Sequence, residues 1–193
     1  MDYPSRSSGR SRTCFICCGV FVALIIVIVA VVAALLLTVY KVRDPTMRIN
    51  SLSVEIPSSG GSLLPTNMVA TTDASVKNPN ILALHYRNPN ITAYYHDQLV
   101  GQSEALPGVA PARGTVMMKT KLNLNITKLL DDPRFVDAFM KGLIELNTTV
   151  FVGGKVEILS VSHHVDVVFN CTLTVDVTTF SLKNQTCWQH MWF

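Results

Sequence analysis

The feature that most constrains this chain is an uninterrupted apolar stretch near its N-terminus. Residues 15 to 40, 26 in all, contain no charged residue and no proline. As a helix they would reach about 39 Å, which exceeds the roughly 30 Å hydrocarbon core of a bilayer. A cleaved signal peptide fits less well, because its core of about 7 to 15 residues ends at small residues, whereas three leucines begin here at Leu35. The stretch predicts a transmembrane helix over residues 14 to 41.

Charge is distributed unevenly along the chain. The net charge is +3, but the basic excess lies next to the apolar stretch. From Asp44 onward, 11 Lys and Arg residues are balanced by 12 Asp and Glu residues. A nucleic-acid-binding protein would carry clustered Lys and Arg on its folded domain. The pattern therefore argues against a nucleic-acid partner, and the basic residues next to the apolar stretch are consistent with the lipid bilayer as a predicted partner.

Glycosylation acceptors, not charge, indicate the topology. Three arginines before the apolar stretch oppose three basic residues after it, so the positive-inside rule is undecided. Five Asn-x-Thr sequons all lie C-terminal to the stretch, at Asn90, Asn125, Asn147, Asn170 and Asn184. We therefore predict a disordered cytosolic tail over residues 1 to 13. Residues 42 to 193 are predicted to form an extracellular, glycosylated domain at the plasma membrane.

The five cysteines fall into two groups. Cys14, Cys17 and Cys18 lie at the cytosolic end of the predicted span, where a thiol can be palmitoylated. Ordinary apolar helix residues are the alternative, and a zinc site would lack a fourth ligand. Cys171 and Cys187 can pair in an oxidising compartment, with two buried free thiols as the alternative. The bridge would close a loop of about 17 residues and contribute about 3 kcal/mol.

The rest of the chain is predicted to form a series of strands separated by turns. Extended segments are expected at residues 47 to 56, 66 to 77, 81 to 87, 91 to 100, 114 to 126, 146 to 152 and 155 to 161. Two Asn-Pro-Asn segments, centred on Pro79 and Pro89, are typical of turns. Gly153-Gly154 is interpreted as a hairpin turn.

The clearest strand covers residues 165 to 177, where apolar side chains and Cys171 occupy the odd positions. This period of two predicts a half-buried strand. Because successive side chains in a strand point to opposite faces, Cys171 should point inward and Asn170 outward. An outward position is the one that a glycan on Asn170 requires.

One segment has the signature of a short helix. Asp132 can act as the N-cap, a proline follows at the first helical position, and Gly142 can end the helix. Phe135, Phe139 and Leu143 recur at helical spacing and are expected to pack together. About seven strands with intervening turns and one short helix predict a mainly β fold, a β-sandwich.

Several segments, in this order and spacing, resemble one plant family. They are Ser75-Val76-Lys77-Asn78-Pro79-Asn80, Ala93-Tyr94-Tyr95, Leu99-Val100-Gly101, Pro107-Gly108, Pro111-Ala112-Arg113, Val152-Gly153-Gly154-Lys155-Val156 and Asn170-Cys171-Thr172. The chain resembles the type 2 late embryogenesis abundant proteins, also called the hydroxyproline-rich glycoprotein family. The harpin-induced and disease-resistance-like membrane proteins are close relatives of that family. The resemblance covers about residues 40 to 190 and the preceding span.

The resemblance implies an immunoglobulin-like or fibronectin-III-like sandwich, known as the water-stress and hypersensitive-response domain. It also implies a plant plasma membrane location and a role in stress or defence without catalysis. Cys171 and Cys187 match cysteines of the family. The chain lacks the Asn-Gly-Asp or Arg-Gly-Asp tripeptide proposed for wall adhesion in a relative, so that function is not carried over.

Residues typical of catalysis or metal binding form no recognisable motif. His163 and His164 are adjacent in a strand and therefore point to opposite faces. His164 with Asp166, or His96 with its neighbour, supplies two ligands where a metal site needs three or four. A Gly-rich phosphate loop and a Gly-x-Ser-x-Gly nucleophile motif are absent from the sequence. We therefore predict neither an enzyme nor a cofactor.

Two functions remain from the sequence. The preferred one is a tethered interaction module that binds an unidentified protein partner, either extracellular or in the membrane, through its surface and loops. The alternative is a module that binds or transfers a lipid or other apolar ligand, for which an apolar cavity larger than about 300 Å³ would be expected. The terminal Trp188 and Trp192 are interpreted as core or collar residues.

Overall fold

The N-terminal unit is one long helix. The computed structural model describes residues 9–39, 42–55, 67–158 and 160–192, and helix α1 covers Gly9–Val39. The Ile16–Leu35 segment is long and apolar enough to cross a membrane, a property that signal sequences share. Helix α1 includes residues 9–13, which the sequence assigned to the tail, and the rest of the predicted disordered tail, residues 1–8, lies outside the described residues.

The second unit, Arg43–Phe193, consists mainly of antiparallel strands. They are β1 (Thr46–Glu55), β2 (Asn67–Lys77), β3 (Leu84–Tyr86), β4 (Asn90–Tyr95), β5 (Gln98–Glu104), β6 (Gly108–Ala110), β7 (Thr115–Asn125), β8 (Leu143–Ile158), β9 (Val161–Asp176) and β10 (Ser181–Trp192). Two short helices, α2 (Ile126–Leu130) and α3 (Pro133–Met140), connect β7 to β8. The prediction of a mainly β domain is confirmed.

All ten strands belong to one hydrogen-bonded sheet. The order β1, β2, β7, β5, β4, β8, β9, β10 follows antiparallel pairing, and β3 and β6 extend the sheet from the end of β8. Strand β10 returns to the side of β1, so the sheet is nearly closed, like a barrel. The immunoglobulin-like or fibronectin-III-like sandwich stays a prediction, since the strands form one continuous sheet.

The interior of the sheet is filled by three clusters of buried side chains. Strand β9 contributes to two of them through its odd positions, which are buried from Val165 to Val175, while the even positions are not. Each fully buried Val, Leu or Phe side chain contributes about 1.5–3 kcal/mol. The predicted half-buried strand is therefore a central element of the core.

The predicted strand over residues 91 to 100 is wrong, because the chain turns within it. Strands β4 and β5 form a hairpin whose two-residue turn, His96 and Asp97, has φ values of 42° and 66°. Two successive positive φ values are typical of the type I′ turn, which matches the twist of the flanking strands. Asp and His tolerate this backbone region better than most residues, so the turn forms without a glycine.

The hairpin turn predicted at Gly153-Gly154 is also wrong. Strand β8 runs through both glycines without interruption. A Cβ atom on Gly154 would lie 2.8 Å from the backbone oxygen of His85 and 2.8 Å from Leu84 Cδ1. Gly154 therefore permits a close approach of β3 to β8, which is a common role of glycine inside a strand.

The predicted helix is present as α3, with Asp132 as its N-cap and Pro133 as its first residue. Phe135 is buried and meets the ring of Tyr95 edge-to-face, with 5.5 Å between the ring centroids. Phe139 is 48% exposed but packs against Phe135 with 6.1 Å between the ring centroids, so this part of the predicted packing is present. Leu143 is 49% exposed, and its predicted place in the same helical row is wrong. The helix ends at Met140, and Leu143 already belongs to β8.

Candidate functional site

Two predicted glycosylation acceptors lie beside each other on the outer face of the sheet. Asn147 on β8 is opposite Thr172 on β9, and Thr149 is opposite Asn170. The hydroxyl of Thr172 donates to Asn147 Oδ1 and that of Thr149 donates to Asn170 Oδ1, both at 2.9 Å. Each asparagine thus contacts the threonine of the other sequon. Both asparagines are exposed, and Asn170 points outward.

The other three sequon asparagines have different surroundings. Asn184 on β10 is exposed. Asn125 is half-buried and caps α2 by accepting a hydrogen bond from the backbone N–H of Lys128 at 3.2 Å. Asn90 is half-buried, and its Oδ1 atom is buried without a hydrogen-bond partner among the described residues. Exposure therefore favours Asn147, Asn170 and Asn184 as acceptors.

Cys171 and Cys187 are directly opposite each other on β9 and β10. Their sulfur atoms are bonded at 2.02 Å, and their Cα atoms lie 4.1 Å apart. Cys171 points inward, is 2% exposed, and belongs to a cluster with Ile49, Ala74 and Leu173. The bond links the edge strand β10 to the core strand β9.

The predicted palmitoylation candidates belong to the N-terminal helix. Cys17 and Cys18 are free, exposed thiols on α1. The side chain of Cys14 lies outside the described part of the structure. Exposed thiols at one end of an apolar helix remain compatible with acylation, and the modification stays a prediction.

The sheet is incompletely closed between β1 and β10. The side-chain amide of Gln185 bridges the two strands, because its Oε1 accepts from the backbone N–H of Ile49 at 2.8 Å and its Nε2 donates to the oxygen of Ile49 at 2.9 Å. A side-chain amide that pairs with one backbone unit imitates a step of a strand ladder. At this point of the seam a glutamine side chain takes the place of the backbone ladder that a full barrel would have.

An open groove of about 1040 Å³ follows this seam. Four apolar side chains line it, among them Cys187, and the other ten lining residues are polar or charged. Its residues are Thr46, Met47, Arg48, Ile49, Asn50, Ser75, Lys77, Thr115, Leu182, Lys183, Asn184, Gln185, Cys187 and Gln189. Such a lining suits a polar ligand or a protein surface better than an acyl chain, because buried apolar chains need an apolar cavity.

The outer face of β10 carries the aromatic residues that the sequence suggested for the core or a collar. Trp188 is 60% exposed and Trp192 is 45% exposed, so neither is a core residue, and the collar interpretation stays a prediction. His190 lies between them, stacked on Trp188 with 5.9 Å between centroids and edge-to-face with Trp192 at 4.9 Å. The three rings form one exposed aromatic stripe, which we call the β10 stripe.

Two of the residues considered as metal ligands, His164 and Asp166, are neighbours on β9. His164 Nε2 and Asp166 Oδ1 share a face and lie 3.7 Å apart, both well exposed. Within the described residues, no group of three or more His, Cys, Asp and Glu side chains is placed to hold a metal ion.

Asp132, the N-cap of α3, is an acidic residue whose carboxylate accepts several hydrogen bonds. Its carboxylate accepts hydrogen bonds from the backbone N–H of Arg134 at 2.9 Å and from the guanidinium at 2.7–3.2 Å. These bonds lower the pKa of Asp132 to about 2, against the opposing effect of partial burial. The pKa of Asp176 is also lowered, chiefly by the hydroxyl of Thr178. Both carboxylates fix local turns, which is a structural role.

Asp132 should make stability depend on pH in acid. Its pKa is lower in the folded chain than the value of about 3.9 in an unfolded one, so its contribution is complete above that value and is lost as the pH falls towards about 2. Asp132→Asn keeps an N-cap acceptor but removes the charge. We expect the variant to melt below the wild-type chain at neutral pH, and the difference to shrink in acid. Thermal unfolding in mild detergent, followed by circular dichroism, measures this.

The exposed neighbour Asp131 supplies the control for that measurement. Its side chain has no hydrogen bond to Arg134 among the described contacts, so Asp131→Asn should melt with the wild-type chain at every pH. A constant difference for Asp132→Asn from neutral to acid pH would show that the carboxylate charge is not what stabilises α3.

Sequence reasoning missed β10, and with it the groove and the stripe. Strand β10 carries polar residues on both faces, so it lacks the apolar alternation that revealed β9. A usable signal was the predicted pairing of Cys171 with Cys187. A bridge between them places residues 181–192 beside β9, and the alternation of Gln185, Cys187, Gln189 and Met191 then marks one face.

The chain is similar in sequence to a plant protein and weakly similar in structure to two solved proteins. A curated late embryogenesis abundant protein of Arabidopsis thaliana is 24% identical over 175 residues, covering 88% of this chain and 82% of the relative. A crystal structure of an Archaeoglobus fulgidus protein has a TM-score of 0.36 at 12% identity, covering 75% of this chain and 96% of that one. A solution structure of an Arabidopsis thaliana protein has a TM-score of 0.37 at 9% identity, covering 79% and 85%.

At these TM-scores the two structural likenesses assign neither fold nor function. The family comparison is more specific. The sequence profile described as late embryogenesis abundant protein matches residues 73–173, which run from β2 to β9 and include Cys171. Since that match covers more than half of the chain, the protein belongs to the type 2 late embryogenesis abundant family, as its sequence predicts.

Proposed function

We propose that this protein is a single-pass plasma membrane glycoprotein that presents its β domain outside the cell as an interaction module during stress or defence. In this proposal α1 spans the bilayer with its N-terminus in the cytosol. The Cys171–Cys187 bridge forms in the oxidising secretory pathway. Family membership supports the stress-related role, and members of the family are generally non-enzymatic.

The main support for the proposed topology is the exposure of three sequons. Asn147, Asn170 and Asn184 all point to solvent, and all follow the only stretch of the described chain that is long and apolar enough to span a membrane. A glycan is bulky and hydrophilic, so it is compatible only with such outward positions. A domain on the luminal side would meet the glycosylation machinery, whereas a cytosolic domain would not.

Three observations favour an interaction module over lipid transfer. Clusters of buried side chains occupy the interior, and the seam groove is lined mainly by polar residues. Helix α3 also exposes Val136, Phe139 and Met140 at 48%, 48% and 81%, at the spacing that places side chains on one helix face. An exposed apolar face is typical of a surface that contacts another macromolecule.

The topology is tested by glycan mapping in plant cells. The full-length protein should lose apparent mass on treatment with an N-glycosidase, and the Asn147→Gln, Asn170→Gln and Asn184→Gln variants should each migrate faster than the wild-type chain. Asn90→Gln should leave migration unchanged. The side chain of Asn90 is half-buried and its Oδ1 atom is buried, so we expect no glycan at this position. Protease added to intact cells should digest the domain.

The control is Asn123→Gln, which changes an exposed asparagine outside any sequon and should not alter migration. A membrane-bound protein that neither responds to the glycosidase nor is digested on intact cells would contradict the extracellular topology. The proposed oxidising environment of Cys171 and Cys187 would then also be lost.

A further inference from the structure

The β10 stripe is part of a larger apolar surface on the outer face of the sheet. His190 is opposite Val168 on β9, and Val168 is opposite Phe151 on β8. Phe151 is 46% exposed, and the two tryptophans are exposed to a similar or greater degree. Exposed tryptophan is unusual on a soluble surface, since each ring buries a large area when it finds a partner. We therefore expect another surface to cover the β10 stripe.

The stripe ends where the chain enters the domain. The backbone N–H of Met191 donates to Asp44 Oδ1 at 3.1 Å. Beside it, Arg43 exchanges two hydrogen bonds of 2.8 Å with the side chain of Asn80. Residues 43 and 44 are thus fixed to the same end of the domain as Trp192.

Covalent connectivity limits how far this end can lie from a membrane. Helix α1 ends at Val39, five peptide steps before Asp44. Five steps span at most about 18 Å, and the headgroup layer itself is about 5–8 Å thick on each side of the hydrocarbon core. If α1 crosses the bilayer as proposed, Trp192 is held within reach of the headgroups.

Three exposed basic side chains lie at this end, together with the carboxylates of Asp44 and Asp166. Arg43 and Arg113 are exposed, and both backbones bond to Asn80. Lys77 is exposed at the end of β2, opposite Thr46 and Thr115. Basic side chains next to a membrane attract lipid phosphates, and tryptophan is enriched at the level of the headgroups, where one part of its ring is apolar and its N–H finds a partner.

We infer that the β10 stripe is a membrane-docking surface: Trp192 first, and Trp188 less deeply, enters the headgroup layer of the leaflet from which α1 emerges. Trp188 lies four residues before Trp192, about 13 Å along the strand, and is directly opposite the glycan acceptor Asn170. A glycan there keeps Trp188 in the more aqueous position. The domain would then rest on the bilayer by one edge and leave α3 free for a partner.

The two tryptophans are the only ones in the chain, so tryptophan emission reports on the stripe alone. The full-length chain is reconstituted in phosphatidylcholine and phosphatidylglycerol vesicles that contain lipid with a nitroxide on the headgroup, near the top of the acyl chain, or at its end. Trp188→Phe reports on Trp192, and Trp192→Phe on Trp188. We expect headgroup and shallow labels to cause a greater loss of emission than the deep label, and the loss to be greater for Trp192.

Iodide in the aqueous phase provides the opposite measurement. It should quench Trp188 more than Trp192 in vesicles, and both about equally in detergent. Emission that is quenched by iodide and by no lipid label would overturn the inference. Emission protected from both, with concentration-dependent crosslinking between chains, would show that a second copy covers the stripe and would overturn it too.

The inference rests on the proposed anchoring, and flotation separates the two. A chain that floats with the vesicles but shows no quenching by lipid labels is anchored without docking, which overturns the inference alone. A chain that does not float with the vesicles overturns the anchoring and, with it, the docking surface.

Discussion

Replacing Ile26 and Val29 with arginine should abolish membrane integration of the full-length protein. Both residues lie in the middle of the Ile16–Leu35 segment and are 62% and 60% exposed on α1. Each arginine near the centre of a bilayer costs about 2.5–3.5 kcal/mol on insertion scales, whereas each Leu, Ile or Val contributes only about 0.3–0.6 kcal/mol. The double variant therefore loses much of the insertion free energy. We expect a protein that alkaline carbonate extracts and that carries no glycan.

Two further variants serve as controls for the double-arginine result. Ile26→Leu with Val29→Leu changes the same positions without charge and should remain in the membrane pellet. Replacing all three cysteines of the predicted cytosolic end, Cys14, Cys17 and Cys18, with serine should also leave the protein in the pellet, because a spanning helix anchors far more strongly than an acyl chain. A double-arginine protein that resists carbonate, or a triple-serine protein that becomes soluble, would contradict a single spanning helix.

The sequence was most informative where one interaction dominated a segment. Burial of alternate side chains determines β9, so a period of two was sufficient to predict its faces and the inward direction of Cys171. The N-cap and first-turn proline of α3 act locally, so Asp132 and Pro133 revealed the helix. In both cases the residues that carry the signal are also those that make the contacts.

Prediction failed where long-range geometry decides the structure. Strand β10 lacks a continuous apolar face and is held by its ladder with β9, by the bridge to Cys171 and by Gln185. The turn at His96 and Asp97 was missed for a local reason, since it uses positive φ without glycine. The groove and the β10 stripe exist only because β10 returns beside β1. No local pattern encodes such a return, since it depends on the order in which eight strands pair.

Gly153 and Gly154 test whether residues 153 and 154 lie in a strand or in a turn. In a strand, alanine at these two adjacent positions should affect the stability of the domain differently. As a turn, both would be needed for their backbone freedom, whereas neither has the positive φ that favours glycine. In the strand, a Cβ on Gly153 meets Asp166 Oδ1 at 3.4 Å, which is ordinary contact, while a Cβ on Gly154 meets backbone of His85 at 2.8 Å.

Gly154→Ala should therefore destabilise the domain by about 1–3 kcal/mol, the usual cost of overpacking, because β3 has to move away from β8. Gly153→Ala should be neutral or stabilising by up to about 1 kcal/mol, since alanine loses less backbone freedom on folding than glycine does. Chemical denaturation of the full chain in mild detergent, followed by the far-ultraviolet signal of the sheet, measures both. Equal destabilisation by the two substitutions would indicate a turn and would remove β3 from its place beside β8.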